Sequence, residues 1–490
     1  MQGDPYLWLV IGGLLSIFVS GRWMIAAAGW LAPLFLLHYA HAALFWPALF
    51  GLWLAVALAI GIANWRVIPV PVFIYPLVVL FLSASVVLPY FADRLLAPSL
   101  PGFFATLVFP LAWTALEYLG ARSNPFGTWG SLAYTQAGNR PLLQLASVAG
   151  LWGIVFVLTW FASVANWFWE GGFNSETAGT GLAIFSIILA AVLIAGRMRL
   201  NHAPSAAHGM RVATVGWPEG ILDVERILRA FSPELPAEEQ AALRAAFSRI
   251  HEHFIAKTAD AARAGAQLVA WPEANIMVYR ADEPALLTRL QALAREQDIY
   301  LLAGIAVLDV STGLSFENRA MLFDPAGGIA ARYIKTTAVP GFEVKFGVRG
   351  DGRLPMVETP HGRVTTAICY DLDFQWLIRQ AGQGRADLLL APASDWREIG
   401  ELHHVSAVFR AVETGVTLVR ATRWGWSSVV DACGRELALL DHFTASERIL
   451  IAEVPVAGRR TLYARIGDAW AWLCVAGFVG ITVWATMSAV

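Results

Sequence analysis

Charge is what this sequence has least of. Only 15% of its 490 residues are Asp, Glu, Lys or Arg, against roughly 25% in an ordinary globular chain. The formal net charge of -2 leaves no basic excess of the kind nucleic acid demands, so no such partner is expected. Cysteine is scarce too. Cys369, Cys433 and Cys474 are widely separated, odd in number and form no CxxC pair, which excludes a disulfide framework and a structural zinc site. Cys433 sits in a turn-like Asp-Ala-Cys-Gly and Cys474 in an apolar run, so both read as inert. His403 and His404 lack a carboxylate or thiol pattern suited to a metal and read as a pair on a helix surface. Neither a metal nor an organic cofactor is implied. The leading Met-Gln-Gly-Asp-Pro lacks the positive charge of a signal peptide, so the first apolar segment is expected to be retained. No internal repeat and no low-complexity tract is found.

Apolar residues are what the sequence has in plenty, at 57%, with 21 tryptophans. Trp65, Trp167 and Trp169 lie near the ends of apolar runs, where indole rings favour the headgroup level of a bilayer. A spanning helix needs about 20 mostly apolar residues. Segments near 6–21, 23–42, 44–64, 68–92, 102–121, 144–168, 179–196 and 469–489 meet that description, which predicts about eight spans. The predicted organisation is a helical membrane bundle over 1–200, an α/β domain over 209–458, and a final membrane helix over 469–490. Glu117 is unusual as a carboxylate within a span, and reads either as a helix-end group near water or as a structural or headgroup contact. The Gly-, Pro- and aromatic-rich stretch from Arg122 to Gln136, with Trp129 and Tyr134, predicts irregular backbone at the membrane surface. It is a plain connection or the lining of an access route to a lipid-facing site.

Between about 209 and 458 the pattern alternates. Short β-rich runs such as Arg211-Val-Ala-Thr-Val, Gln267-Leu-Val-Ala-Trp and Val364-Thr-Thr-Ala-Ile are separated by helical stretches near Pro236–Ala264 and Pro284–Gln297, the signature of an α/β domain large enough for its own core. Three predicted strand ends deliver reactive groups: Glu273 after Leu-Val-Ala-Trp-Pro, Lys335 after Arg-Tyr-Ile, and Cys369 after Thr-Thr-Ala-Ile. Singly, Cys369 reads as a small buried hydrophobe, Glu273 as a cap carboxylate and Lys335 as a surface cation. Together they form an acyl-transfer set. A carboxylate takes the thiol proton and returns it to a leaving group. An ammonium favours the thiolate and the oxyanion of a tetrahedral intermediate, and the sulfur carries the acyl group as a thioester.

In this order and setting the residues resemble the nitrilase (carbon-nitrogen hydrolase) superfamily. That family carries a second glutamate eight residues beyond the lysine, and here that position is Glu343. The resemblance implies an αββα sandwich with the four residues at one edge of the sheets, and Glu343 orienting the lysine or shuttling protons around it. With the predicted membrane helices, the chain resembles the apolipoprotein N-acyltransferase family. Phe126-Gly-Thr-Trp-Gly-Ser-Leu-Ala-Tyr-Thr-Gln, Ala149-Gly-Leu-Trp-Gly-Ile-Val-Phe, Val419-Arg-Ala-Thr-Arg-Trp-Gly-Trp-Ser and Tyr463-Ala-Arg-Ile-Gly-Asp-Ala-Trp carry that likeness. The chain departs from the family pattern at Thr336–Glu343, at Asp371, where glutamate is usual, and at Ser394-Asp-Trp396-Arg-Glu. No counterpart to a tryptophan early in the domain is evident around Ile221–Leu228.

The resemblance implies transfer of a fatty acyl chain from a membrane phospholipid, through Cys369, to the N-terminal amine of a diacylated apolipoprotein. Tyr370, Asp371, Trp396, Glu117, Trp129 and Tyr134 are the expected substrate contacts. It further implies a bacterial inner-membrane protein, monomeric, with the catalytic domain in the periplasm. Short-loop charge opposes that orientation. Arg22, Arg66, Arg122, Arg197 and Arg199 fall on the domain's side and Arg94 opposite, a bias that alone places the domain in the cytoplasm. Two other readings stand beside this one: a membrane-tethered amidase acting on a small amide, and a silent membrane protein that only binds lipid or a partner.

Overall fold

A chain whose first two hundred residues carry so few side-chain partners for water satisfies its backbone internally, and helices do this segment by segment. The computed structural model describes residues 4–202, 209–218, 221, 229–230, 235–310 and 315–488. Most of Ile221–Leu228, where a counterpart to the family's tryptophan was sought, lies outside the described residues. The chain divides into two units: Met1–His202 with Thr461–Val490, and Ala203–Arg460.

In the first unit all eight predicted segments are helical: Pro5–Ser16, Ala26–Ala42, Phe45–Ala63, Tyr75–Leu96, Val108–Ser123, Leu151–Glu170, Ser175–Asn201 and Ala469–Ser488. Among the described residues six helices are long and apolar enough to cross a membrane. Pro5–Ser16, with 12 residues, and Ala26–Ala42, with 17, are shorter, which corrects the predicted lengths of the first two. Asp4 starts the first, its side chain accepting from the backbone N–H of Tyr6 at 3.0 Å with Pro5 at the first helical position. The span predicted from residue 144 is a short helical turn, Ala146–Ala149, and then a long helix from Leu151, because Gly150 turns between them with φ 66°. A side chain there would meet the Tyr463 ring at 2.6 Å. Helix Phe45–Ala63 shows the logic of the bundle. Leu52, Val56, Ala59 and Ala63 are buried, while Phe50, Leu54, Leu58 and Ile62 form an exposed apolar stripe, a face suited to lipid rather than water. This is a membrane protein.

The second unit is a two-sheet sandwich. The first sheet holds β1 (Gly209–Val215), β2 (Leu268–Ala270), β3 (Ile276–Tyr279), β4 (Tyr300–Asp309), β5 (Ser315–Phe323) and β6 (Ile329–Ile334). The second holds β7 (Met356–Thr359), β8 (Gly362–Thr366), β9 (Leu388–Ser394), β10 (Thr417–Arg423), β11 (Trp426–Val430) and β12 (Glu436–Asp441), and β13 (Ile449–Pro455) returns to the first. The strand orders are β13-β1-β2-β4-β5-β6, with β3 beside β4, and β12-β11-β10-β9-β8-β7. Strands β1, β2 and β4 run parallel, as do β8, β9 and β10. The first nine residues of β4 are buried without alternation, as expected for a parallel strand covered on both faces. Helices Ala237–Arg263 and Glu283–Gln297 cover the first sheet, contributing Phe247, Phe254, Leu290 and Leu293 to its core. Helix Gly400–Thr414 packs on β10 and β11 of the second. The result is an αββα sandwich.

Candidate active site

Each reactive side chain stands just beyond the end of a strand, where the ladder stops and the chain turns. After β2, the Trp271 N–H donates to the Leu302 carbonyl at 2.8 Å and its indole to Thr258 Oγ1 at 2.9 Å. Pro272 follows and the chain bends. The bend rests on Gly304 of β4, where a Cβ would lie 2.0 Å from the Pro272 carbonyl oxygen; only a bare backbone fits there. The Glu273 N–H then donates across to Ala393 of β9 at 3.3 Å. Lys335 directly follows β6, its N–H donating to Asn318 and its carbonyl accepting from Gly350, both at 2.9 Å. Cys369 opens the turn after β8 with φ 47°, a left-handed conformation that costs a non-glycine residue about 1–3 kcal/mol. Ala274 and Trp424 are also left-handed, at 51° and 58°, so the chain folds back sharply beside Glu273 and near the end of β10 as well.

These turns converge on one buried ion cluster. Lys335 Nζ lies 2.7 Å from Glu273 Oε1 and 2.9 Å from Glu343 Oε1. Asn318 Nδ2 donates to Glu273 Oε1 at 2.7 Å and reaches Glu343 Oε1 at 3.4 Å, while Val339 N–H donates to the other Glu343 oxygen at 2.8 Å. Glu273 and Lys335 are each 4% exposed and Cys369 7%. Burial opposes the Lys335 charge, but the Glu273 and Glu343 carboxylates outweigh it and hold the ammonium well above its usual range. Burial, reinforced by Glu273, pushes the Cys369 thiol up to about 11, against the pull of His403 and Lys335. At neutral pH the sulfur therefore rests protonated, and the Glu273 carboxylate is the group to take its proton.

Asp371 stands apart from the other expected contacts. It is fully buried. One oxygen accepts from the Thr337 N–H and hydroxyl at 2.8 and 2.6 Å, the other from Tyr333 at 2.7 Å and the Ile368 N–H at 3.0 Å. It ties the Lys335 loop to the Cys369 turn, with no acceptor left for a substrate. Tyr370 is buried with its ring edge-on to Phe374, and Trp396 is half-buried at the end of the β9 loop. Glu117, Trp129 and Tyr134 belong to the membrane unit. Glu117 accepts from the Trp113 indole at 2.9 Å and from Ser131, and Tyr134 pairs with Thr128 Oγ1 at 2.6 Å. Glu117 and Trp129 line a cavity of about 240 Å³ whose walls include Pro33, Leu36, Val56 and Tyr90. Tyr134 is not part of that wall.

The histidine pair is where the sequence misleads. His403 and His404 are 7% and 2% exposed, not a surface pair, because helix Gly400–Thr414 is buried along nearly its whole length. His403 Nδ1 lies 2.8 Å from Asp395 and Nε2 3.1 Å from Asp373, and Arg420 grips both Asp395 oxygens at 2.9 Å. Burial disfavours a charged imidazole, yet the two aspartates hold His403 protonated well above its usual range. Cys369, Asp395 and His403 bring their ligand atoms within 4.8 Å of one another. A protonated imidazole has no lone pair to give a metal, and Asp395 is spent on Arg420, so the chemistry is that of an ion-pair network. His403 and Asn318 were both missed from sequence. The one legible hint was a polar Asn inside the strand run Ser315–Phe323.

Both units of the chain match known families in sequence. Residues 235–463 match the carbon-nitrogen hydrolase family and residues 11–164 the apolipoprotein N-acyltransferase N-terminal domain. The chain is similar to apolipoprotein N-acyltransferases over most of its length. A relative of that name from Geobacter metallireducens is 29% identical over 400 residues, covering 77% of this chain and 73% of the relative. Another from Bradyrhizobium diazoefficiens is 26% identical over 409 residues, covering 76% and 72%. Among solved structures, an amidase from Nesterenkonia sp. is 21% identical with a TM-score of 0.42, covering 56% of this chain and 98% of the amidase. These likenesses support an acyltransferase with a nitrilase-type catalytic domain.

Proposed function

We propose that Cys369 takes a fatty acyl chain from a membrane phospholipid and passes it to the N-terminal amine of a diacylated apolipoprotein. In the first half-reaction Glu273 accepts the thiol proton, the sulfur attacks the ester carbonyl, and Lys335 steadies the oxyanion. The C–O bond breaks, Glu273 returns the proton to the glycerol oxygen, and a lysophospholipid leaves. In the second the amine attacks the thioester, its proton passes to Glu273, and the thiol is restored. Glu343 keeps Lys335 charged and in place throughout. His403, held as a cation beside Cys369, favours the thiolate at the moment of attack.

The observation that carries this reading is Lys335 Nζ bridging Glu273 and Glu343, with the buried Cys369 thiol on a left-handed turn near enough to interact with Lys335. The membrane helices support lipid substrates. Each buried CH₂ is worth about 0.8 kcal/mol, so extracting acyl tails to a soluble site is costly; the apolar cavity lined by Glu117 and Trp129 lies within the membrane unit. Asp371 acts as a brace in this scheme, and Tyr370 and Trp396 flank the acyl group. One chain holds all four catalytic residues, which supports a monomer. The inner membrane, with the domain on the periplasmic side, is the location that suits these substrates.

The test is to incubate the purified enzyme in detergent with a phospholipid labelled in its acyl chain. Wild type should acquire hydroxylamine-sensitive label at Cys369 and release it as an amide on a diacylated lipopeptide; Cys369→Ala should acquire none. Equal labelling of the two proteins overturns the assignment. Hydrolysis of small soluble amides without any lipid labelling replaces it with the amidase reading.

A further inference from the structure

Beside the catalytic cluster sits a cation that the scheme above leaves idle. Arg423, the last residue of β10, is 8% exposed. Its guanidinium lies over the Trp424 ring at 4.3 Å and the Trp217 ring at 4.9 Å from their centroids. Its Nε donates to Ser394 Oγ at 3.2 Å, and the carbonyl of that same Ser394 is the group 3.7 Å from Cys369 Sγ. Nη1 is buried without a hydrogen-bond partner. A buried guanidinium donor left unmet is costly, and among the described residues no carboxylate bonds to it. Glu273 is near enough to interact electrostatically, but its Oε1 is already taken by Lys335 and Asn318.

The fixing of this side chain indicates what it awaits. Stacking on two indoles and the bond to Ser394 set the plane of the guanidinium and leave one edge free, and a planar fork matches the oxygens of a phosphate or carboxylate. The oxyanion formed at the acyl carbon already has Lys335. In a glycerophospholipid the phosphodiester is a few bonds along the glycerol from each ester carbonyl, so an acyl carbon at Cys369 keeps the phosphate within a few bonds of the sulfur, and Arg423 is close enough to interact with that sulfur.

We propose that Arg423 reads the phosphate of the acyl donor, holding the phosphodiester while Cys369 attacks the adjacent ester. The thiol proton passes to Glu273, the S–C bond forms, the ester C–O bond breaks, and the phosphate stays on Arg423 until the lysophospholipid departs. This rests on the phospholipid reading given above. Arg423 thus sets donor specificity, favouring lipids with a phosphodiester over neutral glycerides carrying the same chains.

The experiment compares Cys369 thioester formation from phosphatidylglycerol and from diacylglycerol with the same acyl chains, in the same micelles. In Arg423→Gln the ratio of the phosphatidylglycerol rate to the diacylglycerol rate should fall at least tenfold from wild type, chiefly through a higher KM for the phospholipid. Arg423→Lys, which keeps the charge but loses the fork, should show a smaller fall in the same ratio, and it decides the matter if the glutamine variant does not fold. A ratio within twofold of wild type in the folded variants overturns the proposal, whether both rates are retained or both collapse, since a purely structural or oxyanion role lowers them together. Failure of wild type to form a thioester from either donor sinks the underlying phospholipid reading instead.

Discussion

Two polar clusters flank Cys369, and they are built to opposite ends. Lys335, Glu273 and Glu343 come from the segments that follow β2 and β6 of the first sheet, with one cation between two carboxylates and Asn318 as helper. His403, Asp395, Asp373 and Arg420 come from the second sheet and its covering helix, with two cations matched to two carboxylates. Both are buried. The first has a carboxylate facing an undissociated thiol and so can accept a proton. The second is saturated by its own pairs and acts on the thiol only through His403: Asp395 is held below its usual range, since burial is outweighed by Arg420 and His403. Buried charge serves chemistry where the pairing is incomplete and serves architecture where it is saturated.

Replacing Lys335 by Ala gives the largest effect. Loss of an oxyanion donor costs about 10²–10³ in rate, and the two carboxylates left facing each other should push the loss toward the upper figure, measured as single-turnover thioester formation. A variant retaining a tenth of wild-type rate would break the distinction between the clusters. His403→Ala should act first on stability. It leaves Asp373 without its cation while Asp395 keeps Arg420, so a loss of about 3 kcal/mol, near the lower bound for breaking a buried pair, is expected in chemical denaturation in detergent. The pH dependence has a definite sign. His403 is raised in the folded protein, so its contribution is fully present below its unfolded value near 6.5 and fades as pH rises through the folded value. The stability gap between wild type and His403→Gln should narrow in that direction.

The smallest effect separates the clusters most cleanly. Glu273 raises the Cys369 thiol and His403 lowers it. Alkylation by iodoacetamide near pH 8 should therefore be several-fold faster in Glu273→Gln and several-fold slower in His403→Gln. Shifts of the same sign in both would show that the two clusters do not differ in the way their pairing suggests.

The first cluster was legible in the sequence because Glu273, Lys335 and Cys369 each end an apolar run, and Glu343 follows the lysine at a fixed interval. The membrane helices were legible as apolar length, though not their starts: the break at Gly150 depends on Tyr463, more than 300 residues away. The second cluster was invisible. His403 and His404 look like polar residues on an amphipathic helix until a second sheet buries that face, and Asp395 looks like a loop residue until Arg420 reaches it. Asp371 read as a substrate contact because it stands two residues from the sulfur; only the folded loop shows that Thr337 and Tyr333 occupy it.

Gly304 bears no functional group, yet the bend that aims Glu273 lies directly on it. A single methyl there would have to displace the Pro272 carbonyl, and the base would be lifted off its ammonium. Reactivity in this fold can thus be tuned from behind, by the girth of one residue in the middle of an apolar strand, with every catalytic atom left unchanged.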